Sequence, residues 1–347
     1  MGVMKYFIYI LLLFYTIHLQ SQSIETRDDL KVGVVLSGGG AKGLAHIGAL
    51  KVIEEAGIQV DFIGGTSMGA IVGGLYASGY SASDLEKILP SLGLEGFMKD
   101  GISRKVKPFN QREAEDKYAL RLPIVDNNLL IPRGINKGHA VLNKISQYTQ
   151  HVNDIKDFCE LPIPFLCIAT DLEKGEQVIL DKGYLPNALR ASSAYPTLLT
   201  PIEIDGKVLV DGGIVNNFPV EEVLNMGADI VIGVDVSSTN LKSKDNLQSL
   251  PDMMDQLVSY QMITDKNRDK KNKTTLYIRP DISDYTVTSF DKYSEIIEKG
   301  MQASLVYADV LEKIALNQNP HHTPEIVKPD SQTEFVIEQI IIKGNTS

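Results

Sequence analysis

Between an apolar run (Val60, Phe62, Ile63) and a small-residue helical pattern (Ala70, Ile71, Gly74, Leu75) stands Gly65-Thr66-Ser67-Met68-Gly69, a G-x-S-x-G pentapeptide. A serine on a sharp strand-to-helix turn is held in strained geometry with its Oγ exposed, and the flanking glycines give the backbone room for that turn. The helix that follows aims its N-terminal N–H groups and its positive dipole end at whatever charge develops there. A serine that merely caps a helix is the plainer reading. What surrounds the pentapeptide decides between the two.

Those surroundings alternate between strand and helix patterns. Lys31 to Leu36 is a short apolar run leading into Ser37-Gly38-Gly39-Gly40-Ala41-Lys42-Gly43, and a helix-period pattern (Leu44, Ile47, Leu50, Ile53) then ends near Gly57. A second run and the serine turn follow, so strand, glycine loop, helix, strand, turn and helix fit within 50 residues. That succession predicts parallel βαβ units. Downstream, strands are expected at 163–170, 177–180, 208–210, 229–236 and 275–278. Helices are expected at 85–89 (opened by Ser81 or Ser83), 140–151, 186–193, 250–272 and 293–316. Residues 93–135 read as a surface excursion near the site. The class is α/β with one main sheet.

Composition narrows the function. Hydrophobic content of 43% and charged content of 22% are those of a soluble globular chain. A net charge of −10, with no basic stripe, argues against a nucleic-acid partner and against simple electrostatic attachment to anionic lipid. The two cysteines, Cys159 and Cys167, are too few for a disulfide framework, and Cys167 sits in an apolar run as a small hydrophobe. No Cys/His cluster has ligand spacing, so no structural or catalytic zinc is expected.

A serine hydrolase needs a nucleophile, a base within hydrogen-bond reach and donors for an oxyanion. Ser67 is the nucleophile candidate. The histidines fit poorly as its base: His139 and His151 fall on a predicted helix, His321 and His322 lie in a Pro-rich stretch, and His46 faces into a helix with a packing role. Asp211 fits better, because it closes a short strand and Gly212-Gly213 behind it permit a close backbone approach. Asp235 and Asp171, which also follow apolar runs, are the reserves. Gly39 and Gly40 are the expected oxyanion donors, their N–H groups aimed from a helix N-terminus. A rival reading exists, since Gly38-x-Gly40-x-x-Gly43 matches a dinucleotide fingerprint with Asp61 about 20 residues on. It weakens because Asp61 opens the second strand where a ribose-binding acid should close it.

Taken in order, GGGAKG, GTSMG 22 residues later and the distant DGG resemble the patatin-like phospholipases. Ala191-Ser192-Ser193-Ala194 with Pro196, and Asn216-Asn217 with Pro219, extend the resemblance over about residues 30–316. It implies a three-layer α/β/α fold with a mostly parallel central sheet, and a Ser67–Asp211 dyad without histidine. It also adds Gly38 to Gly39 and Gly40 in the oxyanion hole, with Lys42, Gly43, Gly65, Gly69, Gly212 and Gly213 in supporting places. Lys42 stands where many members carry arginine, which keeps the charge and loses bidentate geometry. The activity implied is hydrolysis of phospholipid or lysophospholipid esters at a membrane surface, with neither a metal nor an organic cofactor. A binding or assembly module that keeps the fold without catalysis is the alternative.

The two ends of the chain read differently from the middle. Lys5, the 13-residue run Phe7 to Leu19 and the polar Gln20-Ser21-Gln22-Ser23 have the layout of a secretory signal over residues 1–22, and the run is short for a membrane span. Export to the periplasm, outer membrane or cell surface is the expectation. The hydrolase domain is placed at 28–316 and a linker at 317–333. Residues 334–347 form a strand pattern with nothing following to pair with it, resembling the opening strand of a POTRA module ahead of an outer-membrane barrel.

Overall fold

The computed structural model describes residues 30–91, 124–125, 128–129, 134–237, 247, 253, 256–260 and 265–318. β1 (Val32–Leu36) is buried at all five positions, as a continuous Val/Leu run demands of a strand covered on both faces. It passes through a tight turn, Gly40–Leu44, into α1 (Ala45–Glu55). β2 (Phe62–Thr66) turns at Ser67 into α2 (Met68–Ala77), and α3 (Ala82–Ser91) follows. Ser81 opens α3 as a reciprocal cap: Asp84 N–H donates to Ser81 Oγ at 3.2 Å, and Ser81 N–H donates to Asp84 Oδ2 at 3.3 Å. Beyond it come β3 (Ile124–Val125), β4 (Asn128–Leu129), β5 (Gly134–Asn136), α4 (His139–Tyr148), β6 (Phe165–Asp171), β7 (Glu176–Leu180) and α5 (Leu185–Ser192). The chain continues with β8 (Thr197–Leu199), β9 (Ile202–Ile204), β10 (Lys207–Asp211), α6 (Val220–Asn225), β11 (Ile230–Val234), α7 (Asp265–Lys273), β12 (Leu276–Ile278), α8 (Tyr293–Leu305) and α9 (Ala308–Leu316).

The main sheet runs β12-β11-β1-β2-β6-β10-β9, with β7 also on β6. From β12 to β6 every pairing is parallel; β7, β10 and β9 join antiparallel. Side-chain alternation sends Val32, Val34 and Leu36 into a large core shared with α1, α2 and α8. Val35 goes to the other face, into a smaller cluster with Phe218, Val220 and Val223 beneath α6. Helices thus cover both faces of a mixed, mostly parallel sheet, as expected.

The pairing of β6 fixes the geometry at the ends of β2 and β10. Cys167 and Ile168 of β6 pair with both β2 and β7, and Ala169 to Asp171 pair with both β7 and β10. A strand has two edges, so β2 and β10 must share the edge opposite β7. They meet on it end to end: Thr66 lies opposite Ile168 and Asp211 opposite Ala169, the next residue along. The last residues of two strands far apart in sequence are thereby brought together.

The structure departs from the sequence reading in several places. The single helix expected at 293–316 is two, α8 and α9, broken at Val306 and Tyr307, where Tyr307 leaves helical dihedrals (φ −109°, ψ 10°). α6, β3, β4, β5, β8 and β9 are additional to the sequence reading; the strands have two or three residues each, too few to show a period, and α6 has six. Asn317 and Gln318, assigned to the linker, belong to the fold: Gln318 Oε1 accepts the Gln59 N–H at 2.9 Å, and its Nε2 donates to the Gln59 carbonyl at 2.6 Å. The expected leader, the strand pattern at 334–347 and the rest of the linker lie outside the described residues, as does most of the excursion at 93–135.

α1 and α8 touch backbone to backbone. A Cβ on Gly48 would stand 2.0 Å from the Ile297 carbonyl oxygen, and one on Gly300 would stand 1.9 Å from that of Ala45. Gly300→Ala is therefore expected to push the two helices apart, lowering stability by about 1–3 kcal/mol as overpacked cores do. Chemical denaturation should show it as a lower midpoint with an unchanged slope.

Candidate functional site

Ser67 is the N-cap of α2 with φ 56° and ψ −121°, one of two non-glycine residues at positive φ among those described. Strain of this kind costs on the order of 1–3 kcal/mol and persists only where the surroundings enforce it. Here the Ser67 N–H donates to Ser192 Oγ at 3.0 Å, and its carbonyl accepts from Ala70 and Ile71 in the first turn of α2. Gly65 and Gly69 make the turn possible by packing against each other. A Cβ on Gly65 would lie 2.5 Å from the Gly69 carbonyl oxygen, and one on Gly69 would lie 2.2 Å from that of Leu36 in β1. Thr66 anchors the strand end by donating its hydroxyl to the Asn216 carbonyl at 2.9 Å.

Ser67 Oγ donates to Asp211 Oδ2 at 2.6 Å. Asp211 is 3% exposed, its other oxygen accepts the Gly213 N–H at 2.8 Å, and its carbonyl accepts the Thr170 hydroxyl at 2.8 Å. Burial raises its pKa from 3.8 to about 6, against the lowering effect of the Ser67 and Gly213 hydrogen bonds. Gly212 is closed in as well, since a Cβ there would lie 2.2 Å from the Ile168 carbonyl oxygen.

The reserve acids and the described histidines have other partners or places, while His321 and His322 lie outside the described residues. Asp235 is fully buried and accepts from the Ser237 N–H at 2.9 Å, the Ser237 hydroxyl and the Tyr277 hydroxyl. Asp171 forms a turn, accepting from Glu173 N–H at 3.0 Å and Lys174 N–H at 3.3 Å. Asp61 precedes β2, at the end of the sheet away from the glycine loop, where it accepts the Val32 N–H at 2.8 Å. His46 is buried and packed, donating from Nε2 to the Ser37 carbonyl at 2.7 Å; desolvation lowers its pKa to about 4, so it is neutral. His139 opens α4, and His151 Nε2 lies 2.7 Å from the Ser78 carbonyl.

The glycine loop follows β1 and faces Ser67. Gly38 differs from its expected part as an oxyanion donor. Its N–H is already directed at Asn217, 3.2 Å from Oδ1, and the Asn217 Nδ2 donates back to the Gly38 carbonyl at 3.1 Å. Ala41 N–H is also committed, to the Val287 carbonyl at 2.9 Å. Among the described residues the Gly39 and Gly40 N–H groups have no partner, and both residues line the hollow that holds Ser67 and Asp211. Lys42 is buried in the turn, and Gly43 lets Met68 of α2 approach.

Two hollows meet at Ser67. One is walled by Met68, Ile71, Leu198, Leu199, Val287 and Phe290. The other is walled by the glycine loop, Asp211, Asn217, Ser237 and Ser259. Gly40, Ser67, Tyr195 and Val287 border both, so they form one cleft with an apolar arm and a more polar arm. The apolar wall and the Asn217 bonds escaped the sequence reading. Asn217 had a signal in the Asn-Asn pair after DGG; Val287 and Phe290 come from an irregular stretch with none.

The chain matches the family described as patatin-like phospholipase over residues 34–224. Lysophospholipase NTE1 of Scheffersomyces stipitis is 31% identical over 306 residues, covering 81% of this chain and 18% of that protein. Lysophospholipase NTE1 of Saccharomyces cerevisiae is 32% identical over 300 residues, covering 80% of this chain and 16% of that protein. The chain thus spans less than a fifth of the length of these curated relatives. Among solved structures, VipD from Legionella pneumophila aligns with a TM-score of 0.44 at 16% identity, over 82% of this chain and 67% of that one.

The Asp211 carboxyl gives a stability prediction with a definite sign. Its folded pKa lies above its ordinary value, so between about 6 and 3.8 the folded state binds the proton that the unfolded state does not. The cost of burying the charge is fully present above that window, on the order of 3 kcal/mol at most, and is relieved as pH falls through it. Asp211→Asn keeps the acceptor for Gly213 and removes the charge. It is expected to be more stable than wild type at pH 7.5, with the difference shrinking by pH 5 in parallel denaturant titrations.

Proposed function

Because the chain belongs to the patatin-like phospholipase family, we propose that it is a serine lipid acyl hydrolase, working by a Ser67–Asp211 dyad on phospholipid or lysophospholipid esters. The observation that carries this reading is the 2.6 Å hydrogen bond from Ser67 Oγ to a buried carboxylate, in a cleft bordered by two uncommitted backbone N–H groups. The lysophospholipase relatives support the ester class.

In the proposed reaction Ser67 Oγ attacks the ester carbonyl carbon as its proton passes to Asp211 Oδ2. The carbonyl oxygen, now an anion, is received by Gly39 and Gly40 N–H groups, assisted by the positive end of α2. Collapse of this intermediate expels the alcohol, which takes the proton from Asp211. A water then gives a proton to Asp211 and attacks the acyl-Ser67; collapse passes that proton from Asp211 to Ser67 Oγ, releases the fatty acid and leaves Asp211 ionised. A carboxylate with pKa near 6 is a far better proton acceptor than one near 4, which is what burial of Asp211 supplies. The apolar arm suits the acyl chain, and the more polar arm suits the glycerol and head-group side. The dinucleotide reading loses ground because Asp61 stands at the wrong end of β2. We infer export from Lys5 and the run Phe7 to Leu19, and a membrane surface as the place where the substrate is met.

Turnover of lysophosphatidylcholine and of p-nitrophenyl esters of increasing chain length tests the reading. Ser67→Ala and Asp211→Asn are each expected to lose at least about 10³-fold in kcat while remaining folded. The wild-type kcat/KM should fall about tenfold per pH unit below an apparent pKa near 6, since protonated Asp211 cannot accept the serine proton. Activity surviving in Ser67→Ala would overturn the assignment.

A further inference from the structure

The geometry points to Asn217 as the positioning residue of the oxyanion hole: its carboxamide grips Gly38 on both sides and thereby turns the Gly39 N–H toward the carbonyl that Ser67 attacks. This rests on the acyl-hydrolase reading above, and it adds a residue that reading does not use.

Asn217 acts on the Gly39 N–H through the peptide planes on either side of Gly38. Asn217 is 2% exposed, and its side chain pairs with Gly38 as one peptide unit pairs with another. Oδ1 accepts the Gly38 N–H at 3.2 Å, a bond shared with the Asn217 backbone carbonyl at 3.4 Å, and Nδ2 donates to the Gly38 carbonyl at 3.1 Å. Only this orientation of the amide satisfies both, since a flipped one would set oxygen against oxygen and N–H against N–H. No cis peptide occurs among the described residues, so the Gly38–Gly39 unit is trans and its N–H lies opposite its carbonyl. Holding the Gly38 carbonyl toward Asn217 therefore sends the Gly39 N–H the other way. The preceding Ser37 carbonyl likewise faces away from Asn217, and His46 Nε2 receives it there at 2.7 Å.

Gly38 is also pressed against the nucleophile, for a Cβ on it would lie 2.5 Å from Asn217 Oδ1 and 2.9 Å from Ser67 Cβ. On its other side Asn217 meets the aspartate loop: a Cβ on Gly213 would lie 2.8 Å from Asn217 Oδ1 and 3.1 Å from Asp211 Oδ1. One amide therefore sets the spacing between the oxyanion loop and the loop that carries the base. A single misdirected oxyanion donor typically costs about 10²–10³ in kcat.

Asn217→Asp is the diagnostic variant. It keeps the volume and the acceptor for the Gly38 N–H but replaces the donor by an oxygen that repels the Gly38 carbonyl. Against a p-nitrophenyl ester its kcat is expected to fall about 10²–10³-fold with KM little changed. The affinity for a long-chain alkyl trifluoromethyl ketone should fall in proportion to kcat. That ketone adds to the serine oxygen to give a tetrahedral oxyanion, so its binding reports the oxyanion hole where KM does not. A folded Asn217→Asp that keeps wild-type kcat and ketone affinity overturns the positioning role. A measurement on the wild type covers the case in which the variant does not fold. With ¹⁵N-glycine labelling, the ketone is expected to move the Gly39 amide proton downfield and leave that of Gly38 in place. A Gly38 shift as large as that of Gly39 overturns the inference, because the Gly38 N–H would then be a donor to the oxyanion. Ser67→Ala run alongside separates the two levels: ester turnover that survives there defeats the hydrolase reading itself, whereas turnover lost there and kept in Asn217→Asp defeats only the role of Asn217.

Discussion

Two strands that end against each other on one edge of β6 hold this structure's chemistry together. β2 arrives parallel to β6 and stops at Thr66; β10 arrives antiparallel and stops at Asp211, one pairing further along. The residue after the first stop is Ser67 and the last residue of the second is Asp211, 144 positions apart in sequence and 2.6 Å apart through their side chains. Neither side chain has to reach. The backbone ladders fix both strand ends, so the hydrogen bond is formed by folding itself. This also explains why the aspartate is buried: a residue still paired within a sheet has its carbonyl and its neighbours inside the protein.

Burial and strain at this point pull against stability and toward reactivity. Ser67 holds a positive φ that a β-carbon resists, and Asp211 keeps a carboxylate out of water with its pKa raised to about 6. The surrounding contacts enforce both, through Ser192 on the Ser67 N–H, Gly213 on the carboxylate and Asn216 on Thr66. His46 shows the opposite use of burial. Desolvation lowers its pKa and leaves it a neutral donor to the Ser37 carbonyl, part of the scaffold under the glycine loop. Histidine is thus present near the site without touching the serine, and the group that accepts the Ser67 hydroxyl is the Asp211 carboxylate.

Much of the fold could be read from local pattern. The unbroken apolar runs of β1, β6 and β11 are buried along their lengths, and the small residues after Ser67 form the helix they suggest. Ser67 and Asp211 were both legible as strand ends with glycines behind them. What stayed hidden depends on partners remote in the chain. The end-to-end meeting of β2 and β10 is a property of pairing, which no periodicity encodes. Gly38 looks like its neighbours in a run of three glycines, and its N–H is lost to an asparagine 179 positions away. β8 and β9 are too short to show a period, and the apolar wall at Val287 and Phe290 comes from irregular chain whose burial depends on the loop it covers. The break between α8 and α9 falls inside a continuous helical pattern and follows from local dihedrals at Tyr307.

The most direct test of this arrangement is to react the protein with a long-chain fluorophosphonate and locate the adduct by peptide mass mapping. A dyad set by the two strand ends predicts one adduct, on the peptide carrying Ser67, and a strongly slowed reaction in Asp211→Asn. An adduct on another residue, or an unchanged rate in folded Asp211→Asn, would contradict it.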